Sequence, residues 1–217
     1  LPPVTAAFAN DGSGNGTLAF TPAVAGTFYV LLTVNDSSIP QQDDRQLLKV
    51  VVSLATPVIS GFPPDSPALP TSIAYGATLT LPTLTPSSPG APTPTYSTTG
   101  PCSVDASNVL HTTGAGECLI AATSPETTVY ALVVVTAPPI TIDKRLVTVT
   151  ADAKSKTYGD SDPPLTYQIT NGTLAPGDSF TGVLTRAPGS GVGTYAITQG
   201  TLALNNSNNY TLSFGGA

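Results

Sequence analysis

Apolar side chains recur along this chain at every second position, in short runs broken by turn residues. Phe28, Val30, Leu32 and Val34 alternate in this way and fall on one face of an extended segment. Runs of the same kind predict strands at Val4–Phe8, Thr17–Thr21, Thr27–Val34 and Leu47–Leu54. Further strands are predicted at Ile73–Tyr75, Ala77–Leu81, Thr95–Ser97, Val109–Thr112, Cys118–Thr123 and Thr128–Thr136. The longest run, Ile140–Asp152, reads as one strand, and Asn209–Phe214 closes the chain. Asn-Gly and Asp-Gly steps within Asn10–Gly16 mark a hairpin. The proline-punctuated stretch Thr85–Pro94 reads as an exposed loop. No helical period persists beyond two turns, so the expectation is an all-β chain with at most a short helical turn.

Three stretches put a glycine ahead of such a run: Gly26-Thr27-Phe28-Tyr29-Val30, Gly116-Glu117-Cys118-Leu119-Ile120 and Gly193-Thr194-Tyr195-Ala196-Ile197. The glycines stand 90 and 77 residues apart, about the length of one sandwich-type β-domain. Each is expected to open a buried central strand, with the glycine ending a loop at positive φ. The chain then divides into residues 1–54, residues 55–138 and residues 139–217. Pro138-Pro139 is the expected hinge before the last. The first part holds about four strands where a sandwich needs about seven, so its N-terminal strands are expected to be missing or donated by another chain.

Motifs within the three parts carry family resemblances. Gly16-Thr17-Leu18-Ala19-Phe20-Thr21-Pro22, followed by the Gly26 strand, resembles the back half of bacterial immunoglobulin-like repeats. Pro94–Val104 followed by Gly114–Ala122 resembles a bacterial Ig-like repeat of large surface proteins, a family with two cysteines at these positions. Residues 139–217 order their motifs as Lys156–Tyr167, Gly177-Asp178-Ser179-Phe180, Val192–Gly200 and Asn209–Phe214. That order closely resembles the MBG-type repeat of large bacterial surface proteins and adhesins. The resemblance implies tandem Ig-like β-sandwich modules followed by an MBG-like module, in an elongated array. It also implies one more Leu/Ile-Thr-Ile strand, which the ending Gly215-Gly216-Ala217 lacks.

Composition adds few constraints. Charged residues make up 9% of the chain, against roughly 25% in a typical globular protein. The 20 glycines and 22 prolines would suit disorder, but the hydrophobic fraction is 40% and mean hydropathy is +0.17. Many short strands joined by frequent turns reconcile the two. The net charge of −6 and the scatter of the cations argue against nucleic acid and anionic membrane surfaces as partners. No apolar run reaches the ~18 residues of a membrane span.

The candidate chemistry is sparse. Cys102 and Cys118 are the two cysteines, and in an extracellular setting an even count points to a disulfide. A loop of about 16 residues closed in this way is worth roughly 3 kcal/mol in the chain-entropy model. The alternative is a pair of reduced core thiols; a metal site would have His111 as its one further ligand. His111 stands between apolar and threonine neighbours on an expected strand, and no serine sits in a nucleophile-elbow context, so no enzymatic activity is expected. Asp160 and Asp162 form the densest acidic group of the third part, with Asp152 and Asp178 as further oxygen sources. They read either as a turn or as a weak Ca²⁺ site. Asp43-Asp44-Arg45 with Asn35-Asp36 reads as a solvated loop. Asn15, Asn35, Asn171, Asn205 and Asn209 fit the glycosylation pattern in a composition where chance matches abound. The eight tyrosines read mainly as sheet anchors.

The expected function is structural: a stalk or fibre segment of a large extracellular or cell-surface bacterial adhesin-like protein. Its partners would be neighbouring repeats, or identical subunits in a filament built by strand donation. The competing readings are a module that binds carbohydrate or a host protein through Thr85–Pro94 and Gly159–Pro164, and an accessory domain of a secreted enzyme.

Overall fold

The computed structural model describes residues 4–10, 16–35, 43–63, 68–86 and 89–217. The chain is all-β: the described residues form strands, and the one helical element is a single 3₁₀ turn, Ser207–Asn209. It folds as two compact units that interleave along the sequence. One comprises Leu1–Ser60, Leu84–Thr95 and Thr123–Val135; the other comprises Gly61–Thr83, Tyr96–Ala122 and Thr136–Ala217.

In the first unit, Val4–Asn10 pairs antiparallel with Gly16–Pro22, and Gly26–Asn35 pairs with Asp43–Val52 over their whole length. Asp43, Asp44 and Arg45 are therefore ladder residues opposite Asn35, Val34 and Thr33, not a solvated loop. Asp36 and Asn15 lie outside the described residues. Phe28 is buried, as the alternation requires. The proline-rich stretch is partly ordered by pairing, since Thr85–Pro86 bridges to Ile59–Ser60, and Leu84 and Pro94 are buried rather than exposed.

Among the described residues the second unit contains three larger sheet segments and two two-stranded pairings, Phe180–Thr181 with Ala203–Leu204 and Thr185–Arg186 with Ile197–Thr198. Val109–Thr112 pairs on one side with Cys102–Val104 and on the other with Thr78–Thr80, and Leu110 is fully buried between. The strand that opens at Gly116 pairs with Ile140–Asp143, which in turn runs parallel to Ser72–Ala74. A disulfide between Cys102 and Cys118, Cα atoms 5.9 Å apart, ties these two segments together. The third segment centres on Arg145–Ala151. It pairs antiparallel with Tyr167–Asn171 and parallel with Tyr210–Gly215. Val147, Val149 and Ala151 point into the core from this strand, and Leu146 points out.

Two sequence expectations change here. The run Ile140–Asp152 is not one strand: it breaks at the exposed Lys144, and its halves serve different sheets. Of the three glycines, Gly26 and Gly116 open strands, at φ of 156° and 142°. Gly193 does not, because pairing begins only at Ile197–Thr198, opposite Thr185–Arg186.

Cys118 is fully buried, so the disulfide crosses the core of its segment. Replacing both cysteines with serine, or reducing the bond, is expected to lower the unfolding free energy by about 3 kcal/mol. Urea denaturation with and without reductant measures it.

Candidate functional site

The second unit holds two polar constellations, both built on turns that the sequence signals clearly. The first surrounds Tyr75-Gly76. Ala77 donates its N–H to the Ala74 carbonyl at 3.0 Å, closing a tight turn with Gly76 at φ +77°. The Tyr75 ring meets Tyr210 edge to face, with centroids 5.6 Å apart and planes at 84°. Tyr210 is itself a junction. Its hydroxyl accepts from the Ala175 N–H at 2.8 Å and donates to Asp178 Oδ2 at 2.6 Å. Asn206 donates to the other carboxylate oxygen. Close by, Asn209 Oδ1 accepts from the Ala115 N–H at 2.9 Å, and the Gly76 N–H is held by Thr112 Oγ1 at 2.7 Å.

Partial desolvation pushes the Asp178 carboxyl upward. Hydrogen bonds from Tyr210, Asn206 and Tyr75, with the Arg145 charge, outweigh it and hold the group below the ordinary aspartate range. Burial raises the Tyr210 phenol, and Asp178 raises it further.

The second constellation surrounds Tyr158-Gly159. Asp160 donates its N–H to the Thr157 carbonyl at 3.1 Å, and Gly159 has φ +97°. This is the same turn as at Tyr75-Gly76, and the sequences agree: Ser72-Ile73-Ala74-Tyr75-Gly76 and Ser155-Lys156-Thr157-Tyr158-Gly159 share Ser-x-x-Tyr-Gly. Past the turn, Asp162 binds Lys156 Nζ at 2.6 Å through Oδ1 and Arg186 at 3.0 Å through Oδ2. These two partners keep its carboxyl below the usual value, Lys156 foremost. Arg186 also donates to the carbonyls of Ala187 and Gly189, at 2.9 and 3.0 Å, and lies 4.8 Å over the Tyr195 ring. A groove of about 660 Å³ opens beside this cluster, lined by Ser155–Thr157 and by Gly193–Tyr195 among others.

Of the carboxylates considered as cation ligands, those of Asp152, Asp162 and Asp178 have other partners. Both oxygens of Asp162 already face cations, and the Asp160 backbone carbonyl accepts from Lys156 Nζ at 2.8 Å. Asp152 accepts from Thr166 Oγ1 at 2.5 Å, and Asp178 belongs to the other constellation. Among the described residues no three metal-ligating side chains converge. His111 pairs with Asp105, 3.0 Å apart; this hydrogen bond is the main reason the Asp105 carboxyl lies low. Asp105 also accepts from the N–H groups of Ser107 and Val109, so the pair braces a hairpin. Sequence reasoning missed the Tyr75–Tyr210–Asp178 group. The repeated Ser-x-x-Tyr-Gly was the available signal.

Two predictions follow from this geometry. A β-carbon at Gly76 would stand 2.6 Å from the Ala175 Cβ, whereas one at Gly159 meets nothing within 4 Å. Alanine at either site carries the strain of positive φ, but only Gly76→Ala adds a clash, so it is expected to destabilise by about 1–3 kcal/mol more. Urea midpoints of the two variants test the difference. For pH, Asp178 is depressed in the folded chain, so its contribution is present above the unfolded carboxyl value and lost as pH falls through the folded one. Acidification below about pH 4 should lower the wild-type midpoint. Asp178→Asn should start lower at neutral pH and fall less.

Comparison with known proteins gives a limited but specific result. No curated protein matches the chain. One solved structure, the protocadherin GammaB4 extracellular domain, is similar at 14% identity and a TM-score of 0.26. That similarity covers 98% of this chain and 42% of the other, so the chain spans less than half of that protein's length. Among the described residues no helix is long and apolar enough to cross a membrane. The family model described as MBG domain (YGX type) matches residues 147–217, the stretch that carries Tyr158-Gly159-Asp160, Asp178 and Tyr210.

Proposed function

We propose that this chain is a load-bearing segment of an extracellular, adhesin-like surface protein built of consecutive β-modules. The observation that carries the reading is the Tyr75-Gly76 junction. A turn upstream of Pro138-Pro139 is covered by Ala175 and Tyr210, which belong to the stretch that matches the MBG family. Ring packing, a buried phenol and a charge-assisted hydrogen bond meet at one point, which suits transmission of force better than turnover of a substrate. The disulfide supports an extracellular setting. No catalytic role is proposed, and the partners are other modules of the same kind. The chain's low charge and its short, turn-separated strands fit such a stalk.

Single-molecule force spectroscopy on the chain between handles tests this. Discrete unfolding events are expected, and reductant should add about 50 Å of contour length by freeing the loop between Cys102 and Cys118. Smooth extension at negligible force would overturn the load-bearing role. The filament variant, with identical subunits exchanging strands, predicts oligomers in light scattering at high concentration, and a strict monomer there removes it.

A further inference from the structure

One tyrosine of the second unit has no task in holding the fold. Tyr75 and Tyr158 occupy the same place in two like turns. Tyr75 is 8% exposed and packs on Tyr210, whereas Tyr158 is 74% exposed. Among the described residues no ring packs on Tyr158, and its hydroxyl is bonded to no protein group. Its ring lines the groove of about 660 Å³, a volume that suits a small ligand.

The opposite wall is the glycine-rich stretch Gly189–Tyr195. Among the described residues its N–H groups from Ser190 to Thr194 have no acceptor. The wall is nonetheless fixed. Arg186 donates to the Ala187 and Gly189 carbonyls and lies over the Tyr195 ring, and the Tyr195 hydroxyl donates to the Gly191 carbonyl at 2.9 Å. Asp162 ties Arg186 to Lys156 on the Tyr158 side. A Cβ at Gly159 or at Gly193 would meet nothing within 4 Å, so the backbone of both walls is open to close approach.

What the groove offers a ligand is polar and balanced in charge. The Asp160 carboxylate and the hydroxyls of Ser155 and Thr157 line it, and among the described residues none of them has a protein partner. Arg186 has no guanidinium nitrogen to spare, since Nε and Nη2 face Asp162 and Nη1 faces two carbonyls. Lys156 is paired with Asp162 as well. One ammonium, that of Lys154, and one carboxylate, that of Asp160, remain without a partner on the groove. Such a lining selects neither an anion nor an apolar chain. It matches a ligand with many hydroxyls and one C–H face.

We propose that this groove binds a neutral oligosaccharide, with a β-linked pyranose of equatorial hydroxyls laid on the ring of Tyr158. The axial C–H bonds of such a sugar meet the negative face of the aromatic ring. Its hydroxyls lie at the rim, where each can donate and accept. Asp160 accepts from two adjacent hydroxyls, and the N–H groups of residues 190–194 donate to oxygens across the groove. The fixed walls lower the cost of ordering on binding. This role is separate from load bearing: it gives the segment a lateral contact.

Titration of the chain with cellotetraose and with chitotetraose, followed by amide and ring NMR signals, tests the site. Saturable shifts are expected at residues 155–160 and 190–195 and at the Tyr158 ring, with at least one of the two sugars, at about millimolar concentration. Tyr158→Ala and Asp160→Ala should each weaken binding by about tenfold. Neither should move the urea midpoint, because neither side chain has a protein partner. No saturable shift with either sugar, equal binding by Tyr158→Ala, or preference for the anionic tetragalacturonate overturns the proposal. A chain that resists force but binds no sugar would remove this site and spare the load-bearing role, so the two readings fail separately.

Discussion

The arrangement of the second unit depends on where one four-residue strand finds its hydrogen bonds. Ile140–Asp143 is paired along both edges, parallel to Ser72–Ala74 and antiparallel to Gly116–Cys118. A strand with two partners satisfies its N–H and C=O groups without water, so Ile140 and Ile142 can be fully buried. The next residue, Lys144, is exposed, and Arg145–Ala151 departs into a different sheet with partners on both of its own edges. Two strands separated by a single residue thus finish one sheet and found another. That covalent continuity brings Ala175 and Tyr210 onto the Tyr75-Gly76 turn.

Period-2 alternation located strands such as Gly116–Ser124, whose residues alternate between buried and more exposed. Val109–Thr112 coincides with its strand, and Thr17–Thr21 and Thr27–Val34 fall within a residue or so of theirs. The failures share a cause. Alternation reports which faces are buried, not which sheet buries them, and only its change of phase between Ile142 and Val147 marks the break at Lys144. It is likewise silent at Cys102–Val104, a three-residue strand defined by pairing with Val109–Thr112. Asp43–Arg45 was lost to its polarity, although a ladder needs only backbone groups. In the candidate site, glycine at the two turns was legible from Tyr-Gly. The partners Ala175 and Tyr210 were not, since they lie 99 residues beyond Gly76 and 135 beyond Tyr75 in a sequence that gives no sign of contact.

Electrostatics and packing divide the work between the two constellations. Around Asp162 the ion pairs are exposed and screened by solvent, so they add little to global stability. Their effect is local: Asp162 ties the turn to Arg186, and Arg186 in turn draws the Ala187 and Gly189 carbonyls beneath Tyr195. Such a cluster holds the walls of a groove in place without filling it. Around Tyr210 the phenol is buried, and its hydroxyl both accepts and donates, so removing it would strand the Ala175 N–H. Identical turns therefore differ in what stabilises them because only one has apolar surface pressed against it.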